Sequence, residues 1–206
     1  METRWWWIRH APVPDGGRIY GQTDLDCDCS DSRVFRALAA ELPDDAVWLT
    51  SNLARTHQTA AAILSAMPAG TTVSPRAVPA LAEQHLGDWQ GLDRQTFLSS
   101  RRNDANPFWF GPASERAPNG ESFAELVARV RDAIDELGRD LVGRDVIAVT
   151  HGGTIRAALT LALGLDADTA LGCVIDNCSL TRLDRLPSGR WRIRCVNHRP
   201  WVGSPA

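Results

Sequence analysis

Two arginines and two histidines stand where apolar runs of this sequence end. Arg9-His10 follows Trp5-Trp6-Trp7-Ile8, Ser51-Asn52-Leu53-Ala54-Arg55 follows Ala46 to Thr50, and His151-Gly152-Gly153-Thr154 follows Val146 to Thr150. Together these types suit phosphoryl chemistry. A neutral imidazole can attack phosphorus and hold the phosphoryl group covalently. A second, protonated imidazole can stabilise charge developing on the other phosphoryl oxygens. Arginine forks grip two oxygens at once. Gly152 and Gly153 let the backbone come close and open a helix whose free N–H groups favour an anion. Taken singly, each has a plainer reading: a structural histidine, a surface arginine, a tight turn. The coincidence at three strand ends carries the argument. A leaving group also needs a proton, and Glu83 in AEQHLGDWQG is the candidate acid and base; on this evidence alone a solvated loop glutamate fits as well.

These residues share one site only if the elements before them are neighbouring strands of one sheet. Arg4 to Ile8 is a short apolar run with no polar face, expected to be a central strand of a parallel or mixed sheet covered by helices. Val34, Phe35, Leu38, Ala39 and Leu42 mark a helix closed by Pro43. Ala46 to Thr50 is a second strand, and helical spacing runs from about Leu53 to Met67. A third short strand is expected around Val73. Helical spacing resumes from Ser122 to Leu141, followed by a strand over Val146–Thr150 and a helix over Thr154–Leu163. Val174–Leu183 and Arg190–Asn197 are expected as closing strands. The alternation predicts an α/β fold, a three-layer sandwich whose mostly parallel central sheet carries helices on both faces. Ligands of such sheets bind beyond the carboxyl ends of the strands. Positions 84–120 hold Trp89, Phe97, Phe108, Trp109 and Phe110 among Gly, Pro and Asn. That stretch is too long for an ordinary connection and reads as an inserted lid within a single 1–206 domain. Trp89, Trp109 and Phe108 are candidates for an apolar wall over substrate.

Composition narrows the chemistry. The 206 residues carry a net charge of −3, which gives no argument for a nucleic-acid partner. All 22 basic residues are arginine. A phosphate-binding P-loop and a Schiff-base mechanism both need lysine and are therefore excluded. Five cysteines without a CxxC pair argue against a disulfide framework or zinc knuckle, and Cys27-x-Cys29 reads as two small half-buried thiols. Neither a signal peptide nor a membrane-spanning run is evident, so a cytoplasmic location is expected. His57, His85 and His198 read as structural or incidental.

Four motifs, RHAPV, SNLARTHQTA, AEQHLGDWQG and VTHGG, resemble in order, spacing and strand context the histidine phosphatase superfamily, the phosphoglycerate mutase-like group. The resemblance spans nearly the whole chain. It implies a phosphohistidine on His10, phosphate ligands in Arg9 and Arg55, and a second pocket histidine in His151. Glu83 becomes the acid/base carboxylate, and Tyr20-Gly21 a loop touching substrate. It also implies chemistry without a metal or other cofactor. RH-x-PV followed by YGQTDL is similar to the α-ribazole-phosphate phosphatase branch, while Ala11 replaces the family's usual glycine. The expectation is a phosphatase acting on a small phosphorylated metabolite. The alternatives are a phosphoglycerate-type mutase, marked by stimulation by a bisphosphorylated primer, and a phosphate-binding regulatory module with weak activity, which would form no phosphoenzyme.

Overall fold

A computed structural model of the chain describes residues 1–71, 73–101 and 109–202. Six strands form one sheet: β1 (Thr3–Arg9), β2 (Ala46–Thr50), β3 (Arg76–Ala77), β4 (Asp145–Thr150), β5 (Leu180–Arg185) and β6 (Trp191–His198). Their order is β3-β2-β4-β1-β5-β6. The first four run parallel, and β5 and β6 close one edge antiparallel. The helices are α1 (Ser32–Glu41), α2 (Ala54–Leu64), α3 (Arg94–Ser100), α4 (Phe123–Asp140), α5 (Gly152–Leu163) and α6 (Ala167–Leu171).

Alternation along the strands decides which side chain enters which layer. Trp5, Trp7, Val146 and Ala148 face α4, α5 and α6. Ile8, Trp48, Ile147 and Val149 face α1 and α2. The expected three-layer sandwich is therefore present. Trp5 and Trp7 are fully buried and stack with ring centroids 5.2 Å apart. Trp6 points the other way, half-buried beneath Arg182 at 4.2 Å, and its Nε1 donates to Asp145. Helix α4 starts at a reciprocal cap: Ser122 accepts from the Glu125 N–H, and Glu125 accepts from the Ser122 N–H.

Several expected elements shift. The third strand is Arg76–Ala77, not the residues around Val73. Val174 to Ser179 is loop, and β5 begins at Leu180. Helix α5 begins at Gly152, two residues before the expected start. The 84–120 stretch is not wholly irregular. Asp93 caps α3 by accepting from the Thr96 N–H. Ile19, Leu86, Trp89, Phe110 and Ala117 form a small buried cluster of their own above the strand ends. Among the described residues no helix is long and apolar enough to cross a membrane.

Candidate active site

Sheet register brings the site together. Arg9 pairs with Thr150 across β1 and β4, and Thr50 pairs with Val149 across β2 and β4. The next residues, His10, His151 and Ser51, therefore emerge side by side at the carboxyl end of three adjacent strands. The His10 N–H donates to Thr150 O at 2.8 Å, and the two imidazole centroids lie 5.2 Å apart.

His10 is 1% exposed. Its Nδ1 lies 2.7 Å from Ala11 O. A carbonyl only accepts, so Nδ1 carries the proton and Nε2 keeps its lone pair. Burial, then Arg55 and Arg9, push this imidazole down to about 3. Asn177 donates to His10 O at 2.8 Å. The Ala11 N–H donates to Thr59 Oγ1, and the Ala11 methyl is absorbed into the core beneath α1 and α2. The departure from glycine is thus accommodated by packing.

His151 is fully buried. Its Nδ1 accepts from Arg55 Nε at 3.3 Å, so Nε2 carries the proton towards Ser51 Oγ at 2.8 Å. Burial, followed by His10, Arg55 and Arg9, lowers its proton affinity well below normal. The expected imidazolium is therefore a neutral ring here, because a third positive charge in this dry pocket is too costly. Arg55 donates to Gly21 O at 2.6 Å and Thr23 O at 2.9 Å, and lies 5.1 Å from the Tyr20 ring centroid. It ties the 20–23 loop to the histidine pair. Gly21 is required there: its φ is +44°, and a Cβ would stand 2.9 Å from Gln84 O. Arg9 Nη1 donates to Ile175 O at 2.6 Å, while its buried Nε has no acceptor among the described residues.

Glu83 lies at the amino end of α5. The Gly153 N–H donates to its two carboxylate oxygens at 3.0 and 3.2 Å. Gly153 is needed for that approach, since a Cβ would collide with the carboxylate. One helix N–H expected to hold phosphate thus holds Glu83. Its backbone is fixed too: Glu83 O accepts from Gln22 at 2.7 Å and Arg129 at 3.3 Å.

Above these groups is a cavity of about 220 Å³. Arg9, Ile19, Tyr20, Gly21, Glu83, Leu86, Arg94, Trp109, Phe110, Gly152 and Arg156 line it, whereas His10, Arg55 and His151 are buried and do not. Trp109 takes its expected place in the wall, whereas Trp89 is packed inside the cap cluster, and Phe108 lies outside the described residues. His57 faces Thr50, His85 accepts from the Gly87 N–H, and His198 pairs with Glu41; none lines the cavity. Cys27 and Cys29 place their sulfurs 3.6 Å apart, half-buried. Among the described residues no cluster of three or more His, Cys, Asp or Glu is placed to hold a metal ion. Sequence reasoning passed over Ser51, Asn177 and Arg156. The signal for Arg156 was available: it sits four residues after Gly152, on the same helix face.

A sequence profile of the histidine phosphatase superfamily (branch 1) matches residues 5–199. A Photorhabdus laumondii protein named as a probable phosphoglycerate mutase is 28% identical over 91% of this chain and 81% of its own length. The structure of a mycobacterial glucosyl-3-phosphoglycerate phosphatase superposes with a TM-score of 0.78 at 27% identity, covering 96% of this chain and 100% of that one. The alpha-ribazole phosphatase of Shigella flexneri gives 0.78 at 21% identity over 95% and 96%, a likeness of fold alone.

Proposed function

The chain belongs to the histidine phosphatase superfamily (branch 1), and from that membership we propose that it hydrolyses a small phosphomonoester through a phosphohistidine on His10. The observation carrying this reading is the hydrogen bond from His10 Nδ1 to Ala11 O, which leaves Nε2 as an unprotonated nucleophile in the field of Arg55 and Arg9. In the first step Nε2 forms a bond to phosphorus. The bond from phosphorus to the leaving oxygen breaks, and Glu83 supplies that oxygen's proton. In the second step water attacks the phosphohistidine and gives its proton to Glu83. The P–N bond breaks and its electron pair returns to Nε2.

Arg9 and Arg55 hold the phosphoryl oxygens through charge-assisted donors. His151 orients Arg55 through Nδ1, and an arriving dianion offsets the cationic field that keeps this ring neutral. Tyr20, Gly21 and Gly152 shape the walls. Each step is assigned to a protein side chain, so p-nitrophenyl phosphate is expected to be hydrolysed in EDTA. His10→Ala should abolish turnover and the acid-quenched phosphoenzyme. Glu83→Gln should slow alkyl phosphates far more than p-nitrophenyl phosphate, whose leaving group needs little protonation. Full activity of His10→Ala would remove the nucleophile assignment. The mutase-named relative supports a second reading, distinguished by isomerisation that exceeds hydrolysis when a bisphosphorylated primer is added.

A further inference from the structure

Arg156 projects from α5 into the same cavity, and the reaction described above does not use it. It is held on two sides. Its Nε donates to Cys173 O at 2.8 Å, and its guanidinium lies 5.2 Å from the Trp109 ring centroid. Trp109 is itself fixed, donating from Nε1 to the buried Gln84 side chain at 3.1 Å. That leaves the two terminal nitrogens of Arg156 without a protein acceptor among the described residues. A Cβ on Gly152 would lie 3.3 Å from Arg156 Nη1 and 3.6 Å from Arg9 Nε, so both guanidinium groups converge over a glycine that leaves them room. Side chains on a helix lean towards its amino end, which directs Arg156 back at the strand ends.

Charge decides what such an arginine is for. Arg94, also in the wall, is paired with Asp15 at 3.2 Å. Arg9, Arg55 and Arg156 have no carboxylate within ion-pair distance among the described residues. When Glu83 carries the leaving group's proton, three cations face a phosphoryl group of two negative charges, and one cation remains. A guanidinium pinned at Nε and on one planar face still offers two parallel donors at its end, the fork that matches a carboxylate.

Resting on the phosphatase reading, the geometry points to a second-anion subsite: Arg156, braced by Trp109, recognises a carboxylate on the substrate, which is a small phosphorylated carboxylic acid. At about 220 Å³ the cavity is below the roughly 300–1,000 Å³ typical of drug-sized ligands, in keeping with a small acid.

The test compares kcat/KM for 3-phosphoglycerate and glycerol 3-phosphate, which differ by a carboxylate in place of a hydroxymethyl group. The wild type is expected to prefer the acid at least tenfold, mainly through KM. Arg156→Gln should erase that preference by weakening the acid selectively, and Arg156→Lys should retain part of it. Equal losses on both esters in Arg156→Gln would place Arg156 on the phosphoryl group and overturn the subsite. A wild type that hydrolyses p-nitrophenyl phosphate without favouring the acid refutes the subsite alone. A wild type inert towards all three esters refutes the phosphatase reading and the subsite with it.

Discussion

At His10 the requirements of chemistry and of stability oppose each other. A buried neutral imidazole is a ready nucleophile, but the fold must refuse it a proton that the unfolded chain accepts. His10 falls from an ordinary value of 6.5 to about 3, and His151 shifts the same way. Below pH 6.5 the unfolded state binds protons that the folded state does not, so stability drops as pH falls towards the folded value. For His10 the slope is about 1.4 kcal/mol per pH unit, or roughly 2 kcal/mol by pH 5, and His151 acts in the same direction. Urea unfolding at pH 7.5 and 5 should show this loss, and His151→Asn should reduce its pH dependence. An unchanged dependence in that variant would mean that carboxylates, not the buried rings, set the acid limb. Much of this site was legible as residues, because Arg9 ends a strand and His10, Arg55 and His151 follow strand ends. Its protonation was not. Neutral His151 results from Arg55 Nε meeting its Nδ1 across two elements, and no local pattern encodes that contact.

Elements with a strong internal pattern were read correctly for the same physical reason that they are stable: one face of each is buried. Helix α4 repeats apolar residues from Phe123 to Leu137 and carries its own cap. Helix α3 buries none of its seven residues, so the sequence holds no periodicity to find, only Asp93 as a cap. Strand β3 is two residues long, too short for any alternation, and depends on pairing with β2. Strand β1 shows the other extreme. Burying an aromatic side chain of roughly 200 Å² at about 25 cal/mol/Å² contributes about 5 kcal/mol. The indole N–H of Trp7 has no acceptor among the described residues, which takes back about 1–3 kcal/mol. Burial wins, but part of it is cancelled. Trp7→Phe should therefore change stability by less than about 1 kcal/mol, since it removes the orphaned N–H along with some packing, whereas Trp7→Ala should cost about 3–5 kcal/mol. Chemical denaturation of both variants checks the pair. A Phe variant as unstable as the Ala variant would show that the orphaned N–H costs little.

Across the whole molecule, charge and packing are unevenly distributed in ways that bear on one another. The chain is net negative, yet its site gathers near Glu83 three arginines that form no ion pair among the described residues, so the attractive field for an anion is local and is concentrated by low-dielectric walls. Those walls come partly from the cap, whose buried cluster of Ile19, Leu86, Trp89, Phe110 and Ala117 is separate from the two cores on the sheet faces. A small separate cluster opens at lower free energy than the sheet. Opening there is expected to leave undisturbed β1 and β4, which must keep His10 and His151 in register. Trp89→Ala should accordingly raise KM for p-nitrophenyl phosphate several-fold and speed amide exchange in residues 86–97. Exchange in β4 should stay unchanged, and the variant should lose less global stability than Trp7→Ala. Equal acceleration in β4 would show that cap and sheet open as one unit, and the field over His10 could then be exposed only by unfolding the strands that create it.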